Sequence, residues 1–153
     1  MEIHVQRSLT IHCPVQLGLT DGRSLDAVLY LLTDPLRPGG TSSIESVLEG
    51  PREFLPIGVG KGSAIIAKSA IRTLEIAADA PGAPDFPTGG GSFDVATLHL
   101  DSGMEVSGVL CTLASIESMR MSDLFNRPGR FLPLAEGDRV VFVSKAHIVF
   151  ASF

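Results

Sequence analysis

The sequence predicts a mostly β protein of two tandem small barrels, each with about five strands plus one short helix, joined by a Pro/Gly linker. Three observations predict this fold: an internal repeat, a hairpin signal in each half, and an intervening segment that cannot build a core. The predicted organisation is an N-terminal extra strand over 1–13, a first barrel over 14–76, a linker over 77–92 and a second barrel over 93–153.

The internal repeat keeps glycine, proline, aromatic and lysine positions at constant spacings. Phe54-Leu55-Pro56-Ile57 returns as Phe131-Leu132-Pro133-Leu134, and Lys68 returns as Lys145; 131 − 54 and 145 − 68 are both 77. Upstream the spacing is 81, as between the two turn glycines, so the first half carries four extra residues. We interpret six residues as structural anchors of the repeat: Gly22, Gly103, Phe54, Pro56, Phe131 and Pro133.

Each half opens with two apolar stretches joined by a glycine turn. Alternating apolar residues lead to Asp21-Gly22 in the first half and to Ser102-Gly103 in the second. Glycine supplies the positive φ that a two-residue hairpin turn requires, so both places predict antiparallel strand pairs. The N-terminal residues 1–13 also alternate, and they are expected to add a strand to either sheet.

A helix of one or two turns is predicted after each hairpin. Ser42 and Glu45 have capping-box spacing ahead of apolar residues at i, i+3 and i+4, and Gly50-Pro51 ends the helix. The equivalent helix lies within 119–128. The apolar edge of each helix is expected to plug one end of its barrel.

Further strands complete each half. Phe54 and Phe131 are expected to be core anchors at the start of a strand, with an exposed ligand platform as the alternative. The proline two residues later removes a ladder donor, which predicts an edge or bulge there. The last strands are predicted over 64–68 and 71–76, and over 140–144 and 148–153, with short bends at Lys68 and Lys145.

The segment 77–92 separates the two halves. It contains three prolines and four glycines with almost no large apolar side chains, so it predicts a semi-flexible linker.

Composition favours a protein partner or self-association. Hydrophobic residues make up 44% of the chain and charged residues only 19%, so apolar surface is expected to meet another copy or another chain. Because the sequence shows neither a secretory signal nor an apolar run long enough for a membrane span, we expect a cytoplasmic protein with no membrane partner. Cys13 and Cys111 are too few for a disulfide framework and are expected to be free thiols.

No catalytic, cofactor-binding or metal-binding residues are predicted, so we expect no enzyme. His12 and Cys13 are adjacent and would point to opposite faces of a strand, while the other histidines and Cys111 stand alone. The glycine-rich segment 58–63 lacks the spacing of a phosphate-binding loop and precedes a strand, so it predicts a hairpin turn.

Two motifs resemble the Sm-like fold shared by eukaryotic Sm proteins and bacterial Hfq. The first is a strand, glycine turn and bent strand, Leu98-His99-Leu100-Asp101-Ser102-Gly103-Met104-Glu105-Val106-Ser107-Gly108-Val109-Leu110. The second is a strand, basic bend and strand, Val143-Ser144-Lys145-Ala146-His147-Ile148. The segment Met121-Ser122-Asp123-Leu124-Phe125-Asn126 followed by Phe131-Leu132-Pro133-Leu134 resembles instead uncharacterised bacterial domains of unknown function with the same arrangement.

The Sm-like resemblance implies ring or edge-to-edge assembly through strands, and RNA at a basic pore. The RNA-contacting lysine and histidine of that family would correspond to Lys145 and His147, and only Lys68 would remain in the first half. Arg120 belongs to the densest basic group and is added as a candidate RNA-binding residue. The net charge of −5 disfavours RNA, since phosphate binding needs clustered Lys and Arg.

Three hypotheses about function remain open. The first is a non-enzymatic interaction or assembly module, made of two Sm-like or SH3-like small barrels, that joins partner chains through open strand edges. The second is an Sm-like RNA-binding regulator that uses Lys145, His147 and Arg120. The third is a protein that binds a small ligand in the cleft between the repeats.

Overall fold

A computed structural model describes residues 10–32, 43–84, 95–110 and 121–153. In these ranges the chain is mostly β, as predicted. The first half contains β1 (Thr10–Leu19), β2 (Ser24–Leu32), α1 (Ile44–Glu49), β3 (Phe54–Val59), β4 (Gly62–Ala67) and β5 (Ile71–Ala77). The second half contains β6 (Val95–Leu100), β7 (Glu105–Leu110), α2 (Met121–Phe125), β8 (Phe131–Glu136), β9 (Arg139–Ser144) and β10 (Ile148–Ser152).

The ten described strands form one antiparallel sheet in the order β10-β6-β7-β8-β9-β5-β1-β2-β3-β4. The order within the first half, β5-β1-β2-β3-β4, is repeated in the second as β10-β6-β7-β8-β9. Because β5 pairs with β9, the two halves share a continuous sheet, and the expected pair of separately closed barrels is not what the structure shows. Among the described strands, β4 and β10 each pair on one side only, and we call them the open edges.

The two halves also repeat their backbone hydrogen bonds. In each half, the amide of the residue after the first strand donates to the last carbonyl of the bend that precedes the final strand. The amide of the lysine in that bend donates to the carbonyl of the residue before the Phe-Leu-Pro strand. The equivalent donor and acceptor pairs are Thr20 to Ala70 and Asp101 to His147, then Lys68 to Glu53 and Lys145 to Arg130. The predicted bends are single 3-10 turns over Lys68–Ala70 and Lys145–His147.

The hairpin signals are confirmed, with a different turn. In the first half the Leu19 amide donates to the Arg23 carbonyl and the Gly22 amide to the Leu19 carbonyl. These bonds close a three-residue loop, with Gly22 at φ 91° in the left-handed region that completes such loops. Strand β1 begins at Thr10, opposite Leu32, so residues 10–13 belong to the first hairpin and not to a separate strand. The rest of the predicted extra strand lies outside the described residues.

The two helices are short, as predicted, and each buries apolar side chains against a core. Helix α1 is capped by Ser43, whose Oγ accepts the Ser46 amide at 3.0 Å, whereas the sequence had indicated Ser42, which lies outside the described residues. Ile44 and Leu48 are fully buried, and Leu124 of α2 is 4% exposed.

Pro56 lies in an inner strand of the sheet, not on an edge strand. The pairing of β2 with β3 covers only Val28↔Gly58 and Leu29↔Ile57, so at Pro56 the strand is paired with β4 alone. The expected edge or bulge is therefore not what the structure shows; Pro56 is accommodated because the β2–β3 pairing does not extend to it. Pro133 is placed equivalently, opposite Phe142 of β9.

Side chains pack into two cores, and β9 contributes to both. Val140 and Phe142 point into the first core, which is otherwise built by the first half and Phe131 of β8, while Val141 and Val143 point into the second. Successive side chains of a strand point to opposite faces, so a continuous apolar run is needed when both faces are covered.

The beginning of the predicted linker is packed against the first core. Ala80 and Ala83 contact it, and the Gly82 carbonyl accepts the Ile44 amide at 3.0 Å. The semi-flexible linker expected over 77–92 is thus replaced by packed turns over 78–84, and the part from 85 onward lies outside the described residues.

Candidate assembly interface

The two halves meet where β5 pairs with β9. The register runs from Thr73↔Val143 to Ala77↔Arg139, five residue pairs in all. We call this pairing, with the side chains around it, the junction. It is the one place where the structure shows what an edge of either half binds.

Three side chains of the second half complete the first core across the junction. Phe131, Val140 and Phe142 are 7%, 0% and 1% exposed and contact the core of the first half. The prediction that Phe131 anchors a core is correct, but the core belongs to the other half. Burying side chains of this size contributes about 1.5–3 kcal/mol each.

Phe54 is not a core anchor of the described chain. Its side chain is 62% exposed, although it occupies the place equivalent to Phe131. The reason is that Phe131 is covered by the first half, whereas the outer side of β4, next to Phe54, has no described strand against it.

The end of α1 holds the start of β8. The Glu49 carboxylate accepts the Arg130 amide at 2.8 and 2.9 Å and the Phe131 amide at 3.0 Å. A carboxylate satisfies both amide donors at once, and bonds to an ionised acceptor are stronger than neutral ones. Glu49 thereby fixes the strand that carries Phe131.

Two exposed ion pairs cross the junction. Arg130 Nη2 lies 2.7 Å from Glu53 Oε1, and Arg139 Nε lies 2.6 Å from Glu75 Oε1. Both arginine side chains are 47% exposed, so each pair adds only a few tenths of a kcal/mol to about 1 kcal/mol. Their main contribution is to place opposite charges next to each other on the two sides of the junction.

Arg72 makes the most buried polar contact of the junction. This side chain is 10% exposed; its Nε donates to Asp101 Oδ1 at 3.1 Å, and its guanidinium also donates to the carbonyls of Leu19 and Thr20. Asp101 Oδ2 lies 2.6 Å from Nδ1 of His147. These contacts, the His147 hydrogen bond first, hold the pKa of Asp101 below its ordinary value. Asp101 therefore links the first half to the bend of the second.

The lysines proposed for RNA binding serve the fold in this structure. Lys68 is 1% exposed and its Nζ donates to the Gly50 carbonyl at 2.8 Å; burial, together with the nearby Arg130, lowers its pKa. Lys145 donates equivalently to the Arg127 carbonyl at 2.7 Å, and burial likewise lowers its pKa. Each lysine thus ties a bend to the loop after a helix. Of the other candidates, His147 contacts Asp101, and Arg120 lies outside the described residues.

Exposed apolar side chains concentrate at the open edges. Eight large apolar side chains are exposed in the described ranges, and five of them lie on or beside β4 and β10: Phe54, Ile65, Val149, Phe150 and Phe153. Ile65 on β4 is 73% exposed and Phe153 after β10 is 69% exposed. Apolar residues grouped along an unpaired strand mark a binding surface.

A groove lies between α2 and β10. Its volume is about 340 Å³, and its walls include Phe125, Asn126, Ile148 and Phe153. The rings of Phe125 and Phe153 meet edge to face with centroids 6.3 Å apart. We call it the β10 groove.

A second groove touches both halves, where the ligand-binding hypothesis expects a cleft. It has a volume of about 520 Å³ and is lined by the first half, including Gln16 and Asp26, with Arg139 from the second. Ligand binding there stays a prediction.

The described ranges contain no group of three His, Cys, Asp or Glu side chains placed to hold a metal ion. As expected, His12 is exposed and Cys13 is buried on the opposite face of β1. Burial raises the pKa of the Cys13 thiol. Cys111 and His4 lie outside the described residues. None of the described helices is long and apolar enough to cross a membrane.

Sequence reasoning missed the polar residues of the junction, above all Glu49, Arg72 and Asp101. A usable signal was present in the alignment of the halves. Arg72 stands where the second half has Val149, and Asp101 stands where the first half has Thr20. A charge that appears in one copy only indicates a contact made by that copy only.

Comparisons with protein-family models, curated proteins and solved structures found no match to this chain.

Proposed function

We propose that this chain is a non-enzymatic assembly module that joins partner chains through its two open edges. The observation that carries the proposal is the group of exposed apolar side chains at the two open edges: Ile65 on β4 with Phe54 beside it, and Val149 and Phe150 on β10 with Phe153 after it. An unpaired strand offers a row of amide and carbonyl groups, and flanking apolar residues add affinity to that backbone pairing.

In this proposal each half is a Sm-like small barrel, open toward its neighbour. The strand order β5-β1-β2-β3-β4 and its repetition as β10-β6-β7-β8-β9 support that description, as do the glycine hairpins and the basic bends. The proposal includes a cytoplasmic location, which the free thiol of Cys13 supports.

RNA binding is the second candidate, supported by Lys145, His147 and Arg130 lying near one bend. The internal bonds of Lys145 and His147, and the net charge of −5, weigh against it. A salt-sensitive shift of short RNA that Lys145→Ala abolishes would favour this candidate over the assembly module.

The test compares proteins retained by the wild-type chain with those retained by edge variants. Ile65→Asp and Phe150→Asp place a charge on each open edge at exposed positions; because the Phe150 ring stacks on His99, circular dichroism and thermal unfolding check that both variants keep the fold. Met104→Asp is the matched control, since Met104 is 50% exposed but lies in the β6–β7 turn. We expect an edge variant, but not the control, to lose a partner identified by mass spectrometry or the wild-type self-association seen by light scattering. A monomer without partners, or partners held equally by all variants, would refute the proposal.

A further inference from the structure

We infer that the partner at the open edges is a second copy of this chain, with β4 of one copy paired to β10 of the next as β9 is paired to β5. The inference rests on the proposed function and names its partner. It follows from the repeat, because the junction already joins two of the four outer strands of the halves.

The two strands that are left unpaired on one side are the repeat equivalents of the two strands that pair in the junction. From the helices onward, equivalent residues are 77 positions apart, so β9 corresponds to β4 and β5 corresponds to β10. The junction pairs β9 of the second half with β5 of the first. It leaves β4 and β10, which are the complementary pair. A contact between unlike surfaces of identical chains repeats from copy to copy, forming a ring or a filament.

The junction also supplies the register. Thr73 pairs with Val143, and their equivalents are Phe150 (73 + 77) and Ile66 (143 − 77). The same conversion applied along the junction predicts the cross-strand pairs Phe150↔Ile66, Ala151↔Ile65, Ser152↔Ala64 and Phe153↔Ser63.

The apolar contacts convert as well. Phe131 and Phe142, which the first core buries, correspond to the exposed Phe54 and Ile65. On the receiving side, three buried residues of the first core, Leu48, Ile71 and Ile76, correspond to Phe125, Ile148 and Phe153. These are walls of the β10 groove. The groove is therefore placed to receive Phe54 and Ile65 of the next copy.

One ion pair is preserved by the conversion. In the junction Arg130 meets Glu53, and these two residues are each other's repeat equivalents, since 130 − 53 is 77. Between copies, Glu53 of one chain would face Arg130 of the next, with the roles exchanged. Each Arg130 would then lie between two Glu53 side chains.

The other two ion pairs of the junction have no charged equivalents between copies, because both residues of each pair are replaced by neutral ones. Arg72 and Asp101 become Val149 and Thr20; Arg139 and Glu75 become Gly62 and Ser152. No charge of either pair is left facing a neutral surface, which would cost desolvation free energy. Glu49 becomes Asn126, whose amide oxygen still offers an acceptor to the start of the incoming β3. This charge matching selects a second copy over an unrelated partner.

Disulfide trapping tests the register in the full chain. With Ala64→Cys and Ser152→Cys in a Cys111→Ser background, the two thiols would lie directly opposite each other across the β4–β10 pair, within reach of a disulfide. Oxidation is expected to give a ladder of covalent multimers that reductant removes. Ser63→Cys with Ser152→Cys is the matched control, because its thiols point to opposite faces, and it should give far less. No ladder, or equal ladders from both variants, would overturn the inference.

Light scattering on the purified chain tests the contact without cysteines. Wild type and Met104→Asp are expected to elute as several chains at concentrations of about 100 μM, well above a micromolar Kd, and Ile65→Asp as one chain. A wild-type monomer overturns the inference. If that monomer still captures another protein through its edges, the assembly function survives with a different partner; if it captures none, both fail.

Discussion

Gly22 and Gly103 have the same role in the two halves, which is to adopt a backbone conformation with positive φ. Both have φ near 90°, and an added Cβ at either position would meet nothing within 4 Å. A side chain there is therefore opposed by its own backbone and not by its neighbours.

We predict that Gly22→Ala lowers the free energy of unfolding by about 1–2 kcal/mol, the cost of a left-handed conformation for an L residue. Asn tolerates this conformation better, so Gly22→Asn should recover part of the loss. Urea unfolding of both variants measures the difference. Equal losses would show that something other than the backbone conformation sets the cost.

Asp101 makes the junction sensitive to acid. Because its pKa in the folded chain is held below the ordinary 3.8, it stabilises the fold above that pH, and the stabilisation is lost as the pH falls through the lowered pKa. We predict that Asp101→Asn has a lower urea midpoint than wild type at pH 7, and that the gap closes on acidification below 3.8. A gap that does not change with pH would mean that the carboxylate charge is not responsible.

Among the elements, the helices are too short to be stable alone and act through their ends. Isolated helices shorter than about 12 residues are marginal in water, and α1 has six. Its stability comes from the buried Ile44 and Leu48 and from Ser43 at its N-terminus, while Glu49 at its C-terminal end holds β8.

We predict that Glu49→Ala destabilises the chain by about 1 kcal/mol, because the Arg130 and Phe131 amides lose their acceptor at a partly solvated site. Glu49→Gln keeps one amide oxygen and should lose less. Thermal unfolding of the pair distinguishes them. If Glu49→Ala unfolds like wild type, water replaces the carboxylate and α1 does not hold β8.

The elements were predictable from sequence because their signals are local. Gly22 marks a turn, a serine cap and Gly50 bound a helix to within one residue, and alternation marks β1, whatever lies elsewhere in the chain. Pairing between distant strands has no such signal. Phe54 and Phe131 share the same local sequence, yet Phe54 is exposed and Phe131 is buried. The difference arises because the pairing of β5 with β9 brings the first half against Phe131. Of the candidate interface, the sequence predicts only the use of open strand edges. The polar residues of the junction could not be predicted, because their contacts depend on the pairing of β5 with β9.

At the scale of the whole molecule, the first core is incomplete without the second half. Phe142 lies in it at 1% exposure, while its equivalent Ile65 is 73% exposed. The same position in the repeat thus has a structural role in one half and a surface role in the other.

We predict that Phe142→Ala lowers the free energy of unfolding by about 3–5 kcal/mol at any chain concentration, the usual cost of emptying a core site of that size. Ile65→Ala should leave the dilute chain unchanged and reduce stability only where copies associate. Unfolding curves at two concentrations test both. A small loss for Phe142→Ala would mean that the halves fold independently.

The β5–β9 pair lies inside one covalent chain, and this has a consequence for symmetry. Any closed particle built from such chains contains an even number of repeats, and its rotational order is half that number. Tethered contacts carrying Arg72 and Asp101 would alternate around it with untethered ones carrying Val149 and Thr20. Dilution would open only every second contact, so dissociation would release whole chains and never a single repeat.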